Sequence, residues 1–131
     1  FKAASAGAGV VDQFLQWGLE DTPGHVVNFM GGKLPWEAPQ AYLKASPAYA
    51  LGRVRTPTLI HVGEKDARVP AAHARALHRA LRRYVGVPTQ LVVYPGEGHG
   101  LEKLGNRRAK MEWDAAWFDR YVLGKEPQTG D

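Results

Sequence analysis

The chain has 131 residues, a formal net charge of +4, 44% hydrophobic residues and no cysteine. This composition is typical of one globular core, and the missing cysteines exclude disulfides, thiolate metal sites and a cysteine nucleophile. The apolar runs stay well below the roughly 18 residues that a membrane helix needs, so we expect a soluble, cytoplasmic protein that does not bind membranes.

Part of the positive charge lies on one predicted helix. We interpret it as a solvated face, and we expect no nucleic-acid partner, because no aromatic interleaving or nucleic-acid motif accompanies it. The arginines of this face are Arg75, Arg79, Arg82 and Arg83. Several histidines lack metal-ligand spacing, so we predict no metal site and no cofactor. These histidines are His25, His73 and His78.

The first part of the chain predicts short elements around a long loop. Residues 1–6 are predicted as a strand and residues 10–17 as one or two turns of helix. In residues 18–35 glycine, proline and isolated apolar side chains alternate without a period, which predicts an irregular surface excursion. Residues 36–46 and 47–52 are predicted as two short helical pieces, and Pro39 falls in the first turn of the earlier piece.

The central part of the chain predicts a strand–helix–strand unit. Residues 58–62 are apolar or β-branched and Gly63 closes the run, which is typical of a buried strand. Residues 70–84 are predicted as a helix and residues 89–94 as a second strand. Such a crossover makes the two strands parallel, so the loops that follow them open at the same edge of the sheet. Open α/β sheets place their sites at this edge.

The last predicted helix covers residues 107–123. Asn106 is a plausible N-cap residue, and Gly124 is placed to end the helix. A broad stripe of small and aromatic residues recurs at helical spacing, which predicts packing against the sheet. The residues of this stripe are Ala109, Trp113, Ala116, Trp117 and Tyr121.

Asp66 and His99 fall in the two loops that the predicted unit brings to one edge. A carboxylate can fix the tautomer of a histidine and stabilise its charged form, while the histidine takes a proton from a nucleophile. The pair therefore predicts two members of an acid–base relay, and a structural ion pair is the alternative. Gly98 and Gly100 flank His99, and we expect their backbone to take conformations that other residues avoid.

Two motifs around these residues resemble the prolyl oligopeptidase family of serine peptidases. They are HVGEKDARVP at residues 61–70 and VYPGEGHG at residues 93–100. The resemblance extends to residues 1–12, which look like the strand and loop after the family's nucleophile helix. It also includes residues 31–37 and the Ser46-Pro47 pair, which are similar to the acylaminoacyl-peptidase branch. One departure is Val62, where the family usually has a histidine, so we expect the displaced His61 to pack.

The resemblance implies an α/β-hydrolase fold, in which residues 1–131 form the C-terminal part of the catalytic domain. It implies that Asp66 is the orienting acid and His99 the general base of a Ser-Asp-His triad. Arg68 matches a position that contacts a substrate backbone carbonyl, and the alternative is a salt bridge that braces the loop. Three further residues match positions that line the pocket for the residue before the scissile bond, with core packing as the alternative. These three are Val11, Phe14 and Val69.

The nucleophile is not evident in the sequence. Ser5 and Ser46 are the two serines, and neither lies in Gly-x-Ser-x-Gly. Only four residues precede Ser5, too few for the strand that a nucleophile elbow requires, and Ser46 is better interpreted as a cap. The resemblance therefore implies a nucleophile upstream of Phe1, and a chain that is the C-terminal part of a split, nicked or truncated peptidase.

The predicted function is hydrolysis of peptide bonds in oligopeptides through an acyl-enzyme, with this chain supplying the acid and the base. An isolated chain is expected to be inactive because the nucleophile is missing. One alternative is an esterase or thioesterase of the same fold, and another is an inactive fragment that acts as an interaction module. The predicted partners are a peptide substrate and either the N-terminal remainder of the same protein or further copies of the chain.

Overall fold

A parallel three-stranded sheet forms the centre of the molecule. The computed structural model describes residues 1–125, and residues 126–131 of the predicted domain lie outside the described residues. The strands follow one another in the order of the chain: β1 (Ala4–Gly7), β2 (Thr58–Gly63) and β3 (Thr89–Tyr94). Both strand pairs are parallel, as the sequence predicts.

Five α-helices and two short helical turns surround this sheet in the described part of the chain. The α-helices are α1 (Gln13–Leu19), α2 (Gly24–Phe29), α3 (Pro39–Lys44), α4 (Ala71–Arg79) and α5 (Leu104–Leu123). A 3₁₀ helix (Pro47–Arg53) leads into β2, and a π-helical turn (Ala80–Val85) extends α4. The structure contains no helix, among residues 1–125, that is long and apolar enough to cross a bilayer.

Strand β2 is buried along its whole length because it pairs on both sides and is covered on both faces. Successive side chains of a strand point to opposite faces. Ile60 and Val62 therefore face α4, where they pack against Ala74. Each such aliphatic side chain contributes about 1.5–3 kcal/mol of burial free energy. His61 lies on the other face, toward α5.

The N-terminal third differs from the sequence prediction in two places. Strand β1 begins at Ala4, whose N–H donates to the Pro57 carbonyl, so residues 1–3 precede the strand. The excursion over residues 18–35 is not wholly irregular, because it contains α2. Val26 is the buried residue of that six-residue helix. One buried apolar residue gives no repeating pattern from which a helix could be predicted.

The helices before and after β2 agree with their predictions except in their exact ends. Helix α3 has Pro39 in its first turn, where its missing N–H costs no helical hydrogen bond. The predicted helix over residues 70–84 is α4 continued by the π-helical turn. Gly86 ends it in the left-handed conformation with φ of +79°.

Helix α5 begins earlier than predicted, and Asn106 is not its N-cap. Lys103 occupies the cap position without a side-chain cap, while the Asn106 side chain donates to Glu97. The aromatic stripe is buried only in part: Trp117 is buried, but Trp113 is 42% exposed. Gly124 ends the helix with φ of +69°, as predicted.

Candidate active site

Asp66 and His99 meet at the carboxyl edge of the sheet. Asp66 lies in the loop after β2 and His99 in the loop after β3, and His99 Nδ1 donates to Asp66 Oδ2 over 3.0 Å. The Asp66 side chain is fully buried, whereas that of His99 is 54% exposed. The two loops therefore present one buried acid and one accessible imidazole, as expected from a parallel crossover unit.

The other oxygen of Asp66 is fixed by the backbone of its own loop. Asp66 Oδ1 accepts the N–H groups of Arg68 and Val69 at 2.9 and 2.8 Å. The three donors fix the direction of the carboxylate, and a carboxylate oxygen can only accept, so the hydrogen of this bond lies on His99 Nδ1. His99 Nε2 makes no hydrogen bond within residues 1–125 and is left to accept one. This geometry would allow His99 Nε2 to accept a proton as a general base.

The loops that carry the pair are joined closely to each other. Lys65 N–H donates to the Glu97 carbonyl at 2.8 Å, and Gly96 N–H donates to the Glu64 carboxylate at 2.8 Å. A Cβ on Gly63 would lie 2.0 Å from the carbonyl oxygen of Gly98. Only a glycine at the end of β2 therefore allows the two loops this approach.

The left-handed backbone conformation in the His99 loop occurs at Gly96 and not at the two glycines that flank His99. Gly96 has φ of +69°, whereas Gly98 and Gly100 are not among the residues with positive φ. A Cβ on either of these two residues would meet nothing within 4 Å. The expectation for the flanking glycines is wrong, because the tight turn forms three residues before His99.

Glu97 joins the His99 loop to α5. Its buried carboxylate accepts the N–H groups of Glu102 and Lys103, each at 2.9 Å, and the Asn106 side chain at 2.8 Å. The Glu102 bond is the largest of the effects that together hold the pKa of Glu97 below its ordinary value. Glu97 thus binds the two residues that precede α5 and Asn106 within it, and Asn106 is not the N-cap that the sequence predicted.

Arg68 is held by an acidic residue that the sequence did not single out. Its Nε donates to Asp21 Oδ1 at 2.8 Å, and its Nη2 lies 3.4 Å from Asp21 Oδ2. The two side chains are 49% and 44% exposed. Asp21 is therefore the residue with which Arg68 would form the salt bridge that braces the loop. The predicted contact of Arg68 with substrate stays a prediction.

The predicted pocket residues lie in different surroundings. Val11 and Val69 are buried. Phe14 is 54% exposed and borders a cleft of about 140 Å³ beside α3, where its ring lies 5.8 Å from that of Trp17. Neither valine lines this cleft. The structure thus brings Val69 next to Asp66 through its backbone and leaves Phe14 accessible, and their pocket role stays a prediction.

A larger cleft of about 590 Å³ opens beside His99, between the carboxyl ends of the strands and α5. Its floor includes His61 and Tyr94, and α5 contributes Lys110 and Met111. The half-exposed His99 side chain is therefore accessible from this cleft.

A buried polar network lies under this cleft, and sequence reasoning treated its centre, His61, as a packing residue. Tyr94 O–H lies 2.8 Å from His61 Nδ1, and His61 Nε2 lies 3.0 Å from Asp114 Oδ1. Burial lowers the pKa of His61, so the neutral ring accepts from Tyr94 and donates to Asp114. Burial and the nearby Asp114 also raise the pKa of Tyr94 to about 12.

Two further groups complete the network at Asp114. Ser5 Oγ donates to Asp114 Oδ1 and Lys110 Nζ to Asp114 Oδ2, each at 2.6 Å. Burial works to raise the pKa of Asp114, but the hydrogen bonds from Lys110, Ser5 and His61 together lower it. The one available signal was the alternation of β2, which places His61 on the face opposite Ile60 and Val62.

Neither serine is placed as a nucleophile. The Ser5 hydroxyl lies within β1 and is engaged by Asp114. The Ser46 hydroxyl accepts the N–H of Gln13 at 2.8 Å and donates to the Tyr42 carbonyl at 2.7 Å. Ser46 therefore does act as a cap, although it caps the start of α1 and not the 3₁₀ helix that follows it.

Comparison with known proteins shows the family to which the chain belongs. The profile of the Prolyl oligopeptidase family matches residues 1–125. The chain is 30% identical over 126 residues to Dipeptidyl-peptidase 5 of Porphyromonas endodontalis, which covers 93% of this chain and 18% of that protein. It is 33% identical over 90 residues to the Acylamino-acid-releasing enzyme of Arabidopsis thaliana, covering 65% of this chain and 12% of that protein.

Solved structures show the same fold. A puromycin-hydrolyzing peptidase of Mycobacterium tuberculosis superposes with a TM-score of 0.85 at 27% identity, over 100% of this chain and 20% of that one. An acylaminoacyl peptidase of Pyrococcus horikoshii gives a TM-score of 0.84 at 21% identity, over 99% and 22%. The chain thus spans about a fifth or less of the length of these proteins. The expected α/β-hydrolase fold is confirmed, and the chain belongs to the prolyl oligopeptidase family.

Proposed function

We propose that this chain is the acid- and base-bearing part of a serine peptidase that hydrolyses peptide bonds of oligopeptides. The observation that carries the proposal is the Asp66–His99 pair, in which a buried carboxylate fixes one nitrogen of an accessible imidazole. Membership of the family supports it. Two relatives, a dipeptidyl-peptidase and an acylamino-acid-releasing enzyme, support the same reaction class.

The proposed reaction follows from what the two side chains can do. His99 Nε2 takes the proton from a serine hydroxyl as the serine oxygen bonds to the scissile carbonyl carbon. The imidazolium gives that proton to the leaving amine as the C–N bond breaks, which leaves an acyl-enzyme. A water molecule then attacks the ester with His99 again acting as the base, and the serine is regenerated. Asp66 stays ionised and stabilises the imidazolium in both steps.

The serine comes from outside residues 1–131 in this proposal. Support comes from the engagement of both hydroxyls in the chain: Ser5 donates to Asp114 and Ser46 to the Tyr42 carbonyl. The oxyanion hole would come from outside as well, because one of its donors is the residue that follows the nucleophile. The cleft beside His99 leaves the imidazole open to such a group.

Substrate positioning in this proposal involves Arg68. Its backbone N–H is bonded to the catalytic acid, and its side chain is half exposed. Arginine carries five N–H donors, and the pair with Asp21 uses those on Nε and Nη2. Nη1 makes no hydrogen bond within the described residues, so it can donate to a carbonyl of the substrate backbone.

Fluorophosphonate labelling tests the proposal, with the adduct located by intact mass and peptide mapping. We expect one adduct per molecule of the full-length protein, on a serine outside residues 1–131, and none on the isolated chain. The isolated chain should likewise hydrolyse neither peptides nor esters above the buffer rate. The full-length His99→Ala variant should not react.

Several outcomes would contradict the proposal. A stoichiometric adduct on Ser5 would place the nucleophile inside the chain. Hydrolysis by the full-length protein that is confined to esters or thioesters would favour the esterase alternative. A full-length protein that folds but neither reacts nor hydrolyses any of these substrates would favour the interaction module.

A further inference from the structure

The ion pair between Asp21 and Arg68 is built into the backbone of the site. Asp21 N–H donates to the Ala67 carbonyl at 3.0 Å, and the buried Gln16 side chain donates to the Arg68 carbonyl at 2.7 Å. Helix α1, through Gln16, and the segment after it, through Asp21, are therefore both hydrogen-bonded to the backbone of the loop that carries Asp66. These bonds hold the Asp21 backbone beside Arg68, and the two side chains pair at 2.8 Å.

This arrangement changes what the guanidinium attracts. An arginine without a partner carries a full positive charge and binds carboxylates in a bidentate manner. Arg68 already has one carboxylate across its Nε and Nη2 edge, at 2.8 and 3.4 Å, so the pair has no net charge. It still offers N–H donors on the other side of the guanidinium. A neutral carbonyl can use these donors, whereas a second carboxylate would lie close to Asp21 and be repelled.

We propose that Asp21 determines specificity at this site: it restricts Arg68 to the neutral carbonyls of a peptide backbone and disfavours substrates that carry a carboxylate there. This inference rests on the proposed peptidase function and adds a residue and a substrate preference to it. Asp21 acts through Arg68 and contacts no reacting atom, so it is a positioning residue. Its effect should appear as a change in preference between substrates and not as a general loss of rate.

Two matched substrates measure this preference in the full-length enzyme. They are N-succinyl-phenylalanine p-nitroanilide, whose acyl group ends in a carboxylate, and the same compound with that carboxylate as its methyl ester. Asp21→Asn should raise the ratio of kcat/KM, free acid over ester, by about twofold to fivefold, as a half-exposed charge pair allows. The gain should arise mainly in KM and should shrink at high salt, because exposed charges are screened. Asp21→Glu, which keeps the charge, should keep the ratio near that of the unmodified enzyme.

The outcomes separate this inference from the proposed function. If Asp21→Asn leaves the ratio unchanged while Arg68→Ala lowers kcat/KM for both substrates, the role of Asp21 is overturned and the peptidase proposal stands. If Asp21→Asn fails to fold, Asp21→Ser takes its place. The same rise in the ratio is expected of Asp21→Ser, and an unchanged ratio would again overturn the role of Asp21. If the unmodified full-length protein neither hydrolyses the two substrates nor reacts with fluorophosphonate, both proposals fail together.

Discussion

The Asp66 carboxylate makes three hydrogen bonds, and only one of them goes to His99. The other two come from backbone N–H groups of its own loop, so the direction of the Asp66 carboxylate does not depend on His99 alone. The histidine loop has its own supports, at Glu64 and Lys65. The relay is therefore assembled from two loops that are each fixed independently of the bond between the acid and the base.

Replacing Asp66 should remove catalysis with little effect on binding. In the full-length enzyme, Asp66→Asn should lower kcat by about 10⁴-fold, because an amide no longer holds the correct His99 tautomer. Steady-state kinetics and the rate of phosphonate labelling measure this loss. Asp119→Asn, which removes an exposed carboxylate paired with Lys125, is the matched control and should keep full activity. Near-normal turnover in a folded Asp66→Asn enzyme would show that the pair is structural.

Replacing Arg68 tests whether it binds substrate or only braces its loop. Arg68→Ala should lower kcat/KM by about 10- to 100-fold, as the loss of a charge-assisted hydrogen bond of roughly 1.5–3 kcal/mol predicts. Its melting temperature should change little, since an exposed ion pair contributes less than about 1 kcal/mol. Arg108→Ala removes a more exposed ion pair on α5 and serves as the control for both measurements. A large loss of stability with unchanged kinetics would favour the brace.

The sequence predicted the residues whose role depends on a local motif and missed those whose role depends on distant partners. Asp66 and His99 each follow a readable strand, so parallel topology brings them together. Asp21 lies 47 residues from Arg68 along the chain, and Asp114 lies 53 residues from His61. Such contacts depend on how helices dock, and no local pattern encodes them. This is why the partner of Arg68 and the network at Asp114 emerged only from the structure.

At the level of elements, the close approach of the two loops that carry Asp66 and His99 depends on Gly63. Gly63→Ala would place a methyl group 2.0 Å from the Gly98 carbonyl oxygen and within 2.9 Å of the Glu97 backbone. We expect a loss of about 3 kcal/mol in unfolding free energy, the upper part of the overpacking range, together with loss of labelling. Urea denaturation of the full-length protein measures the first effect.

Gly98→Ala is the matched control for this substitution. Its Cβ would meet nothing within 4 Å, and its φ is not positive. The control should therefore retain most of the stability, although it lies next to His99. Equal losses in the two variants would mean that the approach of the loops does not depend on Gly63.

The lowered pKa of Glu97 predicts that the stability of the folded protein depends on pH through the junction between the His99 loop and α5. Its pKa in the folded protein is lowered from the ordinary value of 4.5. The unfolded chain therefore binds the proton more readily, and the stability from this group is present above pH 4.5 and is lost as the pH falls through the folded pKa. Glu97→Gln should accordingly be less stable than the unmodified protein near pH 7, and the difference should narrow toward pH 3.

Melting temperatures across this pH range measure the difference. Glu112→Gln replaces an exposed glutamate on α5 that pairs with Arg108, and it should differ little from the unmodified protein at any of these pH values. A Glu97→Gln variant with a constant stability deficit from pH 7 to pH 3 would contradict the linkage.

The elements that the sequence predicted well have a regular spacing of apolar residues and are bounded by glycine or proline. Strand β3 matched its prediction at both ends, because β-branched residues are bounded by Pro88 and Pro95. Helix α2 was missed because it has six residues and one buried side chain. The start of α5 was misplaced because no side chain caps the helix at Lys103, and the Asn106 side chain instead donates to Glu97 in a different loop.

The whole molecule presents features that fit association with a further polypeptide. Within residues 1–125, strand β1 pairs on one side only, with β2. An open strand edge offers unpaired N–H and C=O groups to another chain. Helix α5 also exposes large apolar side chains, a pattern that marks interaction surfaces. These are Leu104, Met111, Trp113, Phe118 and Leu123.

We propose that these surfaces are covered by the N-terminal remainder of the same protein, or by further copies of the chain when that part is missing. Residues 1–131 expressed alone should therefore sediment as oligomers or aggregates at micromolar concentration. Co-expression with the preceding part of the full-length protein should restore one defined species that reacts with fluorophosphonate. A monodisperse, cooperatively folding monomer of residues 1–131 would contradict the proposal.

The network under the main cleft has a consequence for how the molecule opens. Ser5, His61 and Tyr94 come one from each strand, and Asp114 ties them to α5. His61 and Tyr94 are buried, Asp114 is partly buried and Ser5 is exposed, so losing Asp114 would leave the buried His61 without one of its two hydrogen-bond partners. The three strands and α5 should therefore exchange their amide hydrogens as one cooperative unit. We expect the segment from α1 to α3, which lies outside this network, to exchange its amide hydrogens faster than the strands and α5.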